Sequence, residues 1–250
     1  MAKQSGLGDN FYVGGSDLSG DVGAVQTIRS SFAPMQVTGL DKSAIERILG
    51  RRDGEIGFNT FFNNAALKEH AELKLLPTAD TLISYYRGTV LGGEAACLTG
   101  KQINYDWVRS ADGGLLGTIQ ALANNYGLEW GLSLTAGKRT DTVATAPATG
   151  VDFTDVSTAF GMAAYLHVFS FTGTSATMRI QDSADNSTFA NITGLGAFTA
   201  ATASTFERIE TDTLARTIRR YLKVNTTGTF SECTFAVVAV RYYAGDRAGQ

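Results

Sequence analysis

Residues 39–63, GLDKSAIERILGRRDGEIGFNTFFN, decide the fold of this chain. Their first part is a charged loop rich in turn-forming residues, and from Glu55 onward polar and apolar residues alternate. Alternation places Ile56, Phe58 and Phe62 on one face of a strand, and Glu55 and Asn59 on the other. The stretch therefore predicts a loop followed by a half-buried β-strand that packs on one side only.

The rest of the first half predicts short strands and one helix. The strands are rich in β-branched and aromatic residues and are bounded by glycine, asparagine or aspartate. One helix is predicted over Ala65–Leu76, with Asn64 as its N-cap and Pro77 ending it. The predicted strands are Glu55–Phe62, Thr81–Arg87, Lys101–Val108, Gly117–Asn124 and Leu128–Thr135.

The Lys101–Val108 segment alternates cleanly. Gln102, Asn104 and Asp106 would share one face, and Ile103, Tyr105 and Trp107 would share the other. A polar wall formed with Glu55 and Asn59 is one interpretation of the first set. An ordinary solvent-facing side of an antiparallel sheet has equal weight.

Residues 138–150, KRTDTVATAPATG, are small and polar and include a proline, which predicts an interdomain linker. We expect one domain over residues 1–145, in which the arm 1–38 has the weakest signals, and a second over residues 151–250. Helix signals vanish in the second, which predicts an Ig-like or jelly-roll-like β-sandwich. Its predicted strands are Ala163–Thr172, Ser175–Asp182, Thr188–Ile192, Phe206–Thr211, Arg219–Thr226 and Cys233–Tyr243.

Composition narrows the class of protein. The chain has 250 residues, 44% of them hydrophobic, enough for one or two cores. No secretory signal is predicted at the N-terminus, and no run approaches the ~20 apolar residues of a membrane span, so we expect assembly in a cytoplasm and no membrane partner. A net charge of −3 argues against a surface that holds phosphates, and the pairs Arg51-Arg52 and Arg219-Arg220 are isolated.

Residues with catalytic or metal-binding chemistry are sparse. Two cysteines, Cys97 and Cys233, are too few for a disulfide framework and are predicted to be core residues. The two histidines, His70 and His167, are predicted to lie in different domains. No nucleophile elbow, zinc-binding helix motif or phosphate-binding glycine loop occurs. The sequence therefore predicts no enzyme, no cofactor and no metal.

Two weaker signals favour structural explanations. In the segment 182–189, DSADNSTF, a calcium loop would use Asp182, Asp185 and Asn186, but no acidic closing residue follows and a tight turn is favoured. Glu207 and Glu210 flank Arg208 and are expected to be solvated; the alternative is a glycosidase pair of carboxylates.

Three blocks between residues 39 and 142 resemble consecutive pieces of the major tail proteins of long-tailed phages. They are the quoted stretch 39–63, the helix ending LLPTADTLISYYRG, and GKQINYDWVRSADGGLLGTIQALANNYGLEWGLSLTAGKRTDT. In the second half, STAFGMAAYLHVFSFTGTSATMRIQDSADNSTFANITG and RRYLKVNTTGTF are similar to a β-sandwich that some members append.

The resemblance implies a mainly β, tail-tube-type sandwich or barrel with one flanking helix. Subunits of such proteins join edge to edge into rings, usually hexameric, that stack into a tube for genome ejection. The implied partners are further copies of the chain, other tail proteins such as the tape measure and terminator, and double-stranded DNA in transit without sequence-specific binding. The implied location is the tail of a virion.

Candidate site residues follow from this resemblance and from the polar patterning. Competing with it is a carbohydrate- or receptor-binding module, in which the C-terminal sandwich makes a weak host-surface or glycan contact. The candidate lumen residues are Glu55, Asn59, Gln102, Asn104 and Asp106, and the candidate subunit or ring contacts are Asp41, Lys42, Glu46, Arg47, Arg51, Arg52 and Asp53.

Overall fold

A computed structural model of the chain describes residues 5–244, apart from the side chains of 155 and 156. The first four residues of the predicted arm and the last six of the predicted second domain lie outside this range. The fold is mainly β, as predicted. Its elements are β1 (Asn10–Val13), β2 (Ser16–Asp17), β3 (Val22–Gln36), β4 (Arg47–Phe61), α1 (Glu69–Leu73), β5 (Thr81–Tyr86), β6 (Glu94–Gln102), β7 (Asp106–Arg109), β8 (Leu115–Ala123), β9 (Glu129–Ser133), β10 (Arg139–Asp141), β11 (Val151–Thr158), β12 (Met162–Ser183), β13 (Ala190–Asn191), β14 (Thr205–Glu210) and β15 (Ile218–Arg241).

One antiparallel sheet runs through both halves of the chain. Its main path is β13-β12-β15-β9-β6-β5-β1-β2. A branch leaves this path at β6, which pairs with β8. Strand β8 also pairs with β4 and β7, and β4 pairs with β3. The branch is a four-stranded sheet in the order β3-β4-β8-β7, and in the described part of the chain its two outermost strands each have one unpaired edge.

Two long strands replace four predicted ones in the second half. β12 and β15 pair continuously from Met162 opposite Arg241 to Ser183 opposite Tyr221. The polar and glycine positions that predicted strand ends are bulges instead, around Ser170 and Gly173. Gly173 has φ +152°, and each bulge bends the strand without ending it. Sequence patterns do not separate a bulge from a turn.

The helix is shorter than predicted. Leu67 and Leu76 have positive φ values of 58° and 43°, so the backbone leaves the helical region on both sides of α1. The predicted N-cap, Asn64, is wrong: the N-cap of α1 is Lys68, and its side chain makes no capping hydrogen bond. A single turn is enough because it buries only Glu69 and Leu73.

Each half of the chain has its own hydrophobic cluster. In the first half, Phe11 and Phe58 pack with ring centroids 4.5 Å apart above Ile83 and Leu98. In the second half, β11, β12 and β15 enclose a larger cluster that includes Phe235 and the predicted core residue Cys233. Cys97 is buried too, so the prediction for both cysteines is confirmed.

A third cluster is shared by the two halves, and we call it the shared cluster. It contains Tyr12, Tyr86 and Cys97 from the first half with Tyr165 and Val238 from the second. The sheet curls around it, so that strands far apart along the path meet. Two contacts mark this meeting: His167 Nε2 lies 2.9 Å from Ser84 Oγ, and the Ser204 hydroxyl donates to the Gly15 carbonyl at 3.1 Å.

The segment predicted to be a linker is partly structured. Within it, β10 pairs with β15, with Thr140 opposite Thr234. Further along, Lys223 Nζ donates to the Pro147 carbonyl at 2.7 Å, and the Gly150 N–H donates to Asn186 Oδ1 at 2.8 Å. Domain boundaries at this segment stay a prediction, because the two halves also share a sheet and a cluster.

The segment 182–189 forms a turn, as favoured above. Asp185 Oδ1 accepts from the N–H groups of Ser187 and Thr188 at 2.9 and 2.8 Å, and Asn186 has φ +58°. Asp182 is bound to Arg219 at 2.6 Å. No group of three or more metal-binding side chains is found in the described residues. No helix among them is long and apolar enough to cross a membrane.

A buried ionic cluster joins the halves. The side chains of Arg208 and Glu129 are only 6% and 2% exposed, with Nη2 3.2 Å from Oε2. Arg208 also donates to the hydroxyls of Tyr165 and Tyr242, both at 3.1 Å, and Tyr242 donates to Glu129 Oε1 at 3.0 Å. Its guanidinium carbon lies 3.5 Å from the ring centroid of Tyr126. Hydrogen bonds on both partners offset the desolvation of the pair.

Glu207 and Glu210, which flank Arg208 in the sequence, both have a polar partner. Glu210 Oε2 lies 3.0 Å from Arg208 Nη1 and is about one-third exposed. Glu207 points elsewhere, where its oxygens accept from the N–H and hydroxyl of Thr199 at 2.6 and 3.1 Å. Each carboxylate thus has a polar partner and is also partly exposed, so the expectation of solvated side chains holds in part.

We expect the folded state to lose stability as the pH falls below the usual pKa of histidine. Burial lowers the pKa of His167 from 6.5 to about 3. Between these values the unfolded chain binds a proton that the folded chain does not, so stability is complete above pH 6.5 and falls by up to about 1.4 kcal/mol per pH unit below it. Urea unfolding of the wild type and His167→Gln between pH 7 and 5 measures this slope. An unchanged slope in the variant would contradict the assignment.

Removing the buried guanidinium should destabilise the fold strongly. Arg208→Ala leaves Glu129 buried without its counter-ion, which costs about 3–5 kcal/mol. Arg216→Ala is the matched control, because Arg216 pairs with Asp212 at 2.6 Å on the surface with 34% and 51% exposure. The free energy of unfolding of Arg216→Ala should fall by less than about 1 kcal/mol. Equal losses in urea unfolding would show that the buried cluster does not stabilise the junction.

Candidate assembly surfaces

The branch sheet has one polar face. Antiparallel pairing places Asn59 opposite Thr118, and Thr118 opposite Asp106, so these three side chains form a row across β4, β8 and β7. Two residues further along β4 and β8, Gly57 lies opposite Gln120. Glu55, two residues before Gly57 in β4, lies on the same face. We call this surface the polar face.

Hydrogen bonds hold the polar face together. Glu55 accepts from Gln120 Nε2 at 2.5 Å and lies 2.6 Å from Arg29 Nη2. Asn104 donates to Asp106 Oδ2 at 2.7 Å and accepts from the Gln120 N–H at 2.7 Å. Four of the five candidate lumen residues, Glu55, Asn59, Asn104 and Asp106, therefore lie on one connected surface.

Gln102 is the exception. The predicted strand Lys101–Val108 is broken, because β6 ends at Gln102 and β7 begins at Asp106. Gln102 pairs with buried Ala121, and its Nε2 donates to the Leu73 carbonyl at 2.8 Å. It therefore lies beneath α1, and the prediction that it shares a face with Asp106 was wrong. Alternation alone did not reveal the turn between the two strands.

The polar face is close to electrically neutral. Arg29 and Glu55 form one ion pair, and Lys101, which continues the row of Glu55 across Leu122, forms another with Asp80; Asp106 adds a further negative charge. Multiple unpaired cations would be needed to hold a phosphate backbone. The surface can therefore lie near DNA without retaining it.

Beyond the polar face, β3 and β4 continue as a two-stranded hairpin. β8 pairs with β4 only from Glu55 to Phe61, so residues 31–53 extend past the sheet, and we call them the distal hairpin. An isolated two-stranded hairpin is marginally stable in water. Large apolar side chains exposed on it are Phe32, Met35, Val37, Leu40, Ile45, Ile48 and Leu49.

Both faces of the distal hairpin are apolar. Met35 lies opposite Ile48 on one face, and Pro34 lies opposite Leu49 on the other. Ile48 and Leu49 are 48% and 68% exposed. An element that exposes apolar residues on both sides, without a third strand, is typical of a segment that a partner covers.

All seven candidate contact residues lie in the distal hairpin. Lys42 Nζ lies 3.9 Å from Asp41 Oδ2 and 3.7 Å from Glu46 Oε1 in the exposed loop. Asp53 Oδ1 accepts from the Gly54 N–H at 2.8 Å, where the hairpin joins the sheet. The remaining three are Arg47, Arg51 and Arg52 of β4. Sequence reasoning chose these charges and missed the apolar side chains between them, although Ile45, Ile48 and Leu49 stand in the quoted stretch.

A second exposed apolar surface lies at the opposite end of β4. Phe61 lies opposite Leu116, and Leu116 lies opposite Val108, so the three form a row beside the polar face. They are 53%, 44% and 65% exposed. The fourteen residue steps from Arg47 to Phe61 span about 45 Å at about 3.3 Å per residue. We call this row the apolar row.

Exposed apolar residues are concentrated in the first half. Of the 24 large hydrophobic side chains that are exposed in the described residues, 20 precede residue 138. The other four, Val143, Phe160, Phe206 and Tyr243, are scattered along the chain. Surfaces that could be buried by association therefore belong mainly to the first half.

No family model matches the chain, and no curated protein matches it. Solved structures similar to it include the tail of an empty GTA particle, with C6 symmetry (18% identity, 51% of this chain and 98% of that chain, TM-score 0.38). A second is the SPP1 Dit hub protein, with 14% identity over 93% of this chain and 99% of that chain and a TM-score of 0.30. A third is the phage p2 baseplate, with 11% identity over 94% of this chain and 98% of that chain and a TM-score of 0.29. TM-scores this low do not establish a shared fold.

Proposed function

We propose that this chain is a non-enzymatic structural subunit of a phage tail tube, which forms rings that stack into a conduit for genome ejection. The observation that carries the proposal is the branch sheet, whose two edges are both unpaired in the described residues while its polar face lies between them. The sequence resemblance to major tail proteins supports the same function.

The two unpaired edges of the branch sheet allow copies of the chain to join into a ring. The outer edge of β3 is 15 residues long, and an open edge of that length invites pairing with another strand. Pairing it with β7 of a neighbouring copy would continue the sheet and keep every polar face on one side. Such a contact joins two different surfaces, and it closes into a ring when the rotation allows. By the resemblance, the ring is a hexamer.

The apolar surfaces at the two ends of β4 allow rings to stack. The distal hairpin and the apolar row lie at opposite ends of the same strand, so a head-to-tail contact between them buries both. A head-to-tail contact that does not close generates a filament. The hairpin of one ring thus packs against the apolar row of the next.

The polar face would line the conduit. Its near neutrality suits double-stranded DNA in passage, because repeated contacts between cations and phosphates would hold the DNA in place. The second half, with few exposed apolar residues, lies outside the tube wall. Tape measure and terminator proteins are the remaining proposed partners, with assembly in the host cytoplasm and the virion tail as the final location.

A monomeric binding module explains less of the molecule. In that alternative the C-terminal sandwich binds the ligand, and the exposed apolar side chains of the distal hairpin have no explanation. Soluble monomers rarely expose apolar patches larger than a few hundred Å². The hairpin with seven exposed apolar side chains therefore favours self-assembly.

Charges placed on both faces of the distal hairpin should prevent stacking. In the double variant Ile48→Asp and Leu49→Asp, burial of the hairpin would require two carboxylates to lose water, so we expect no filaments in negative-stain micrographs. Circular dichroism should match the wild type, because neither residue is buried. Val143→Asp is the control, since Val143 is 64% exposed between β10 and β11, in the segment predicted to be a linker. Filaments in the double variant, or their loss in the control, would refute the hairpin contact.

A cysteine on the polar face should show whether this face lines a lumen. Cys97 and Cys233 are buried, and burial raises the pKa of their thiols to about 12 and about 11, so an introduced thiol reacts selectively. In assembled tubes of Thr118→Cys, a small maleimide should react and a maleimide on a bulky dextran should not.

The control for this experiment is Val143→Cys, which both reagents should label in assembled tubes. Labelling of Thr118→Cys by the bulky reagent at the control rate would place the polar face on the outside. Protection from both reagents would place it in a subunit interface.

A further inference from the structure

Two opposite charges stand at the two free edges of the branch sheet, on its polar face. Asp106 begins β7 and is exposed, and Asn104 donates to its Oδ2 at 2.7 Å. Arg29 lies in β3 opposite Glu55, with its Nη2 2.6 Å from Glu55 Oε2, and its side chain is 54% exposed. A guanidinium has five N–H donors and can bind a second carboxylate. Each copy of the chain therefore carries one half of an ion pair on each edge.

We propose that Asp106 of one copy pairs with Arg29 of the next, and that this ion pair sets the register between β7 and β3 in the ring. The pairing rests on the proposed tube and fixes how its subunits align. It also places Trp107 opposite Ile28 and Val108 opposite Thr27. An aromatic side chain opposite a β-branched one is a favourable cross-strand pair.

Strand direction permits this contact. The branch sheet has four antiparallel strands, so its outermost strands, β3 and β7, run in opposite directions. Copies related by a rotation therefore place β7 antiparallel to the neighbouring β3. The bulges of β3 leave residues 27–32 regular, and these include the three positions that Asp106, Trp107 and Val108 would face.

Backbone groups of β7 alternate between β8 and the free edge. Gln120 of β8 turns its backbone toward the side of β7, where its carbonyl accepts from the Ile103 N–H at 2.9 Å. Thr118, two residues earlier, has the same orientation and lies opposite Asp106. The N–H and C=O of the next residue, Trp107, therefore point to the free edge.

The same alternation in β3 directs the backbone of Ile28 outward. The Phe61 N–H donates at 2.8 Å to the carbonyl that precedes β3, so Phe61 and the residues an even number away in β4 face β3. Glu55 is one of these, and its partner Arg29 therefore faces β4. The outward groups of Ile28 can bond those of Trp107 in the next copy. The ion pair then occupies a non-hydrogen-bonded position, where side chains are closest.

This register gives the strands a tilt that is typical of closed sheets. Without a stagger, Asp106 would face Ala24, where the row from Asp106 across β8 and β4 ends. Arg29 lies four rows further along, about 13 Å, and four strands span about 19 Å. The resulting tilt is about 35°, and closed sheets have about 35–45°. Registers two residues shorter or longer would place Asp106 opposite Thr27 or Ser31, which carry no charge.

The direction of the stagger fits a polar face that is turned to the lumen. Because the backbone of Gln120 points to β7, the chirality of the chain places β7 to the right of β8 when the polar face is viewed with β8 running upward. Strand twist gives a closed sheet a right-handed coil. With the polar face inside, this coil moves β7 toward later residues of the neighbouring β3, such as Arg29. With the polar face outside, β7 would move to residues before Val22, where β3 has not begun.

Cross-linking between copies tests the register. In Thr27→Cys with Val108→Cys, thiols of adjacent copies would face each other at a non-hydrogen-bonded pair while the ion pair stays intact. The Cα separation of about 4.5 Å at such a pair permits a disulfide, so oxidised tubes should give a ladder of covalent oligomers on a denaturing gel. Both native cysteines are buried. The matched control, Ser31→Cys with Val108→Cys, is displaced by four residues and should give no ladder.

The outcomes separate the register from the tube. A wild-type chain that forms no filaments would overturn both. Filaments that form but give no ladder with Thr27→Cys and Val108→Cys would overturn the register alone. So would a ladder in the Ser31→Cys control, or dimers of Thr27→Cys alone, which would mean that β3 pairs with β3 of another copy.

Charge reversal tests the ion pair itself. Asp106→Lys would bring two cations together, so we expect tubes to be lost at low salt and to return at about 1 M salt, where the screening length is about 3 Å. Arg29→Gln in the same chain should restore assembly at low salt. The control is Asp112→Lys in the exposed segment after β7, which should assemble as the wild type does. Equal assembly of Asp106→Lys and Asp112→Lys at low salt would overturn the ion pair.

Discussion

The pairing of β9 with β15 is the contact on which the rest of the structure depends. It joins Leu132 to Ala239 and Ser133 to Val238, and through it the strands of the first half become one sheet with those of the second. So short a pairing cannot hold two halves by itself. The shared cluster on one side of it, and the buried Arg208–Glu129 pair, supply the remaining stabilisation through apolar burial and satisfied charge.

This joint also fixes where the chain can associate. With β5, β6, β9 and β15 enclosed in the main path, the long unpaired edge of the branch sheet is β3, and the short one is β7. Natural proteins blunt open edges with bulges, prolines and charges, and β3 carries three bulges, Pro34 and Arg29 along its 15 residues while no strand covers it in the described residues. The first half therefore presents a long unpaired sheet edge and most of the exposed apolar side chains of the described residues, and the second half presents few such side chains.

The sequence predicted the local alternation well and the long-range arrangement poorly. Ile56 and Phe58 are buried as predicted, since a period of two on a half-buried strand is a direct signal, but Phe62, predicted on the same face, lies beyond the end of β4 and is 42% exposed. The fate of Gln102 was not predictable, because a turn of three residues reverses the face without interrupting the alternation. The continuity of β12 was also hidden, since Gly173 and its polar neighbours are equally typical of a turn. Pairing between the halves depends on partners more than one hundred residues apart, which local patterns cannot specify.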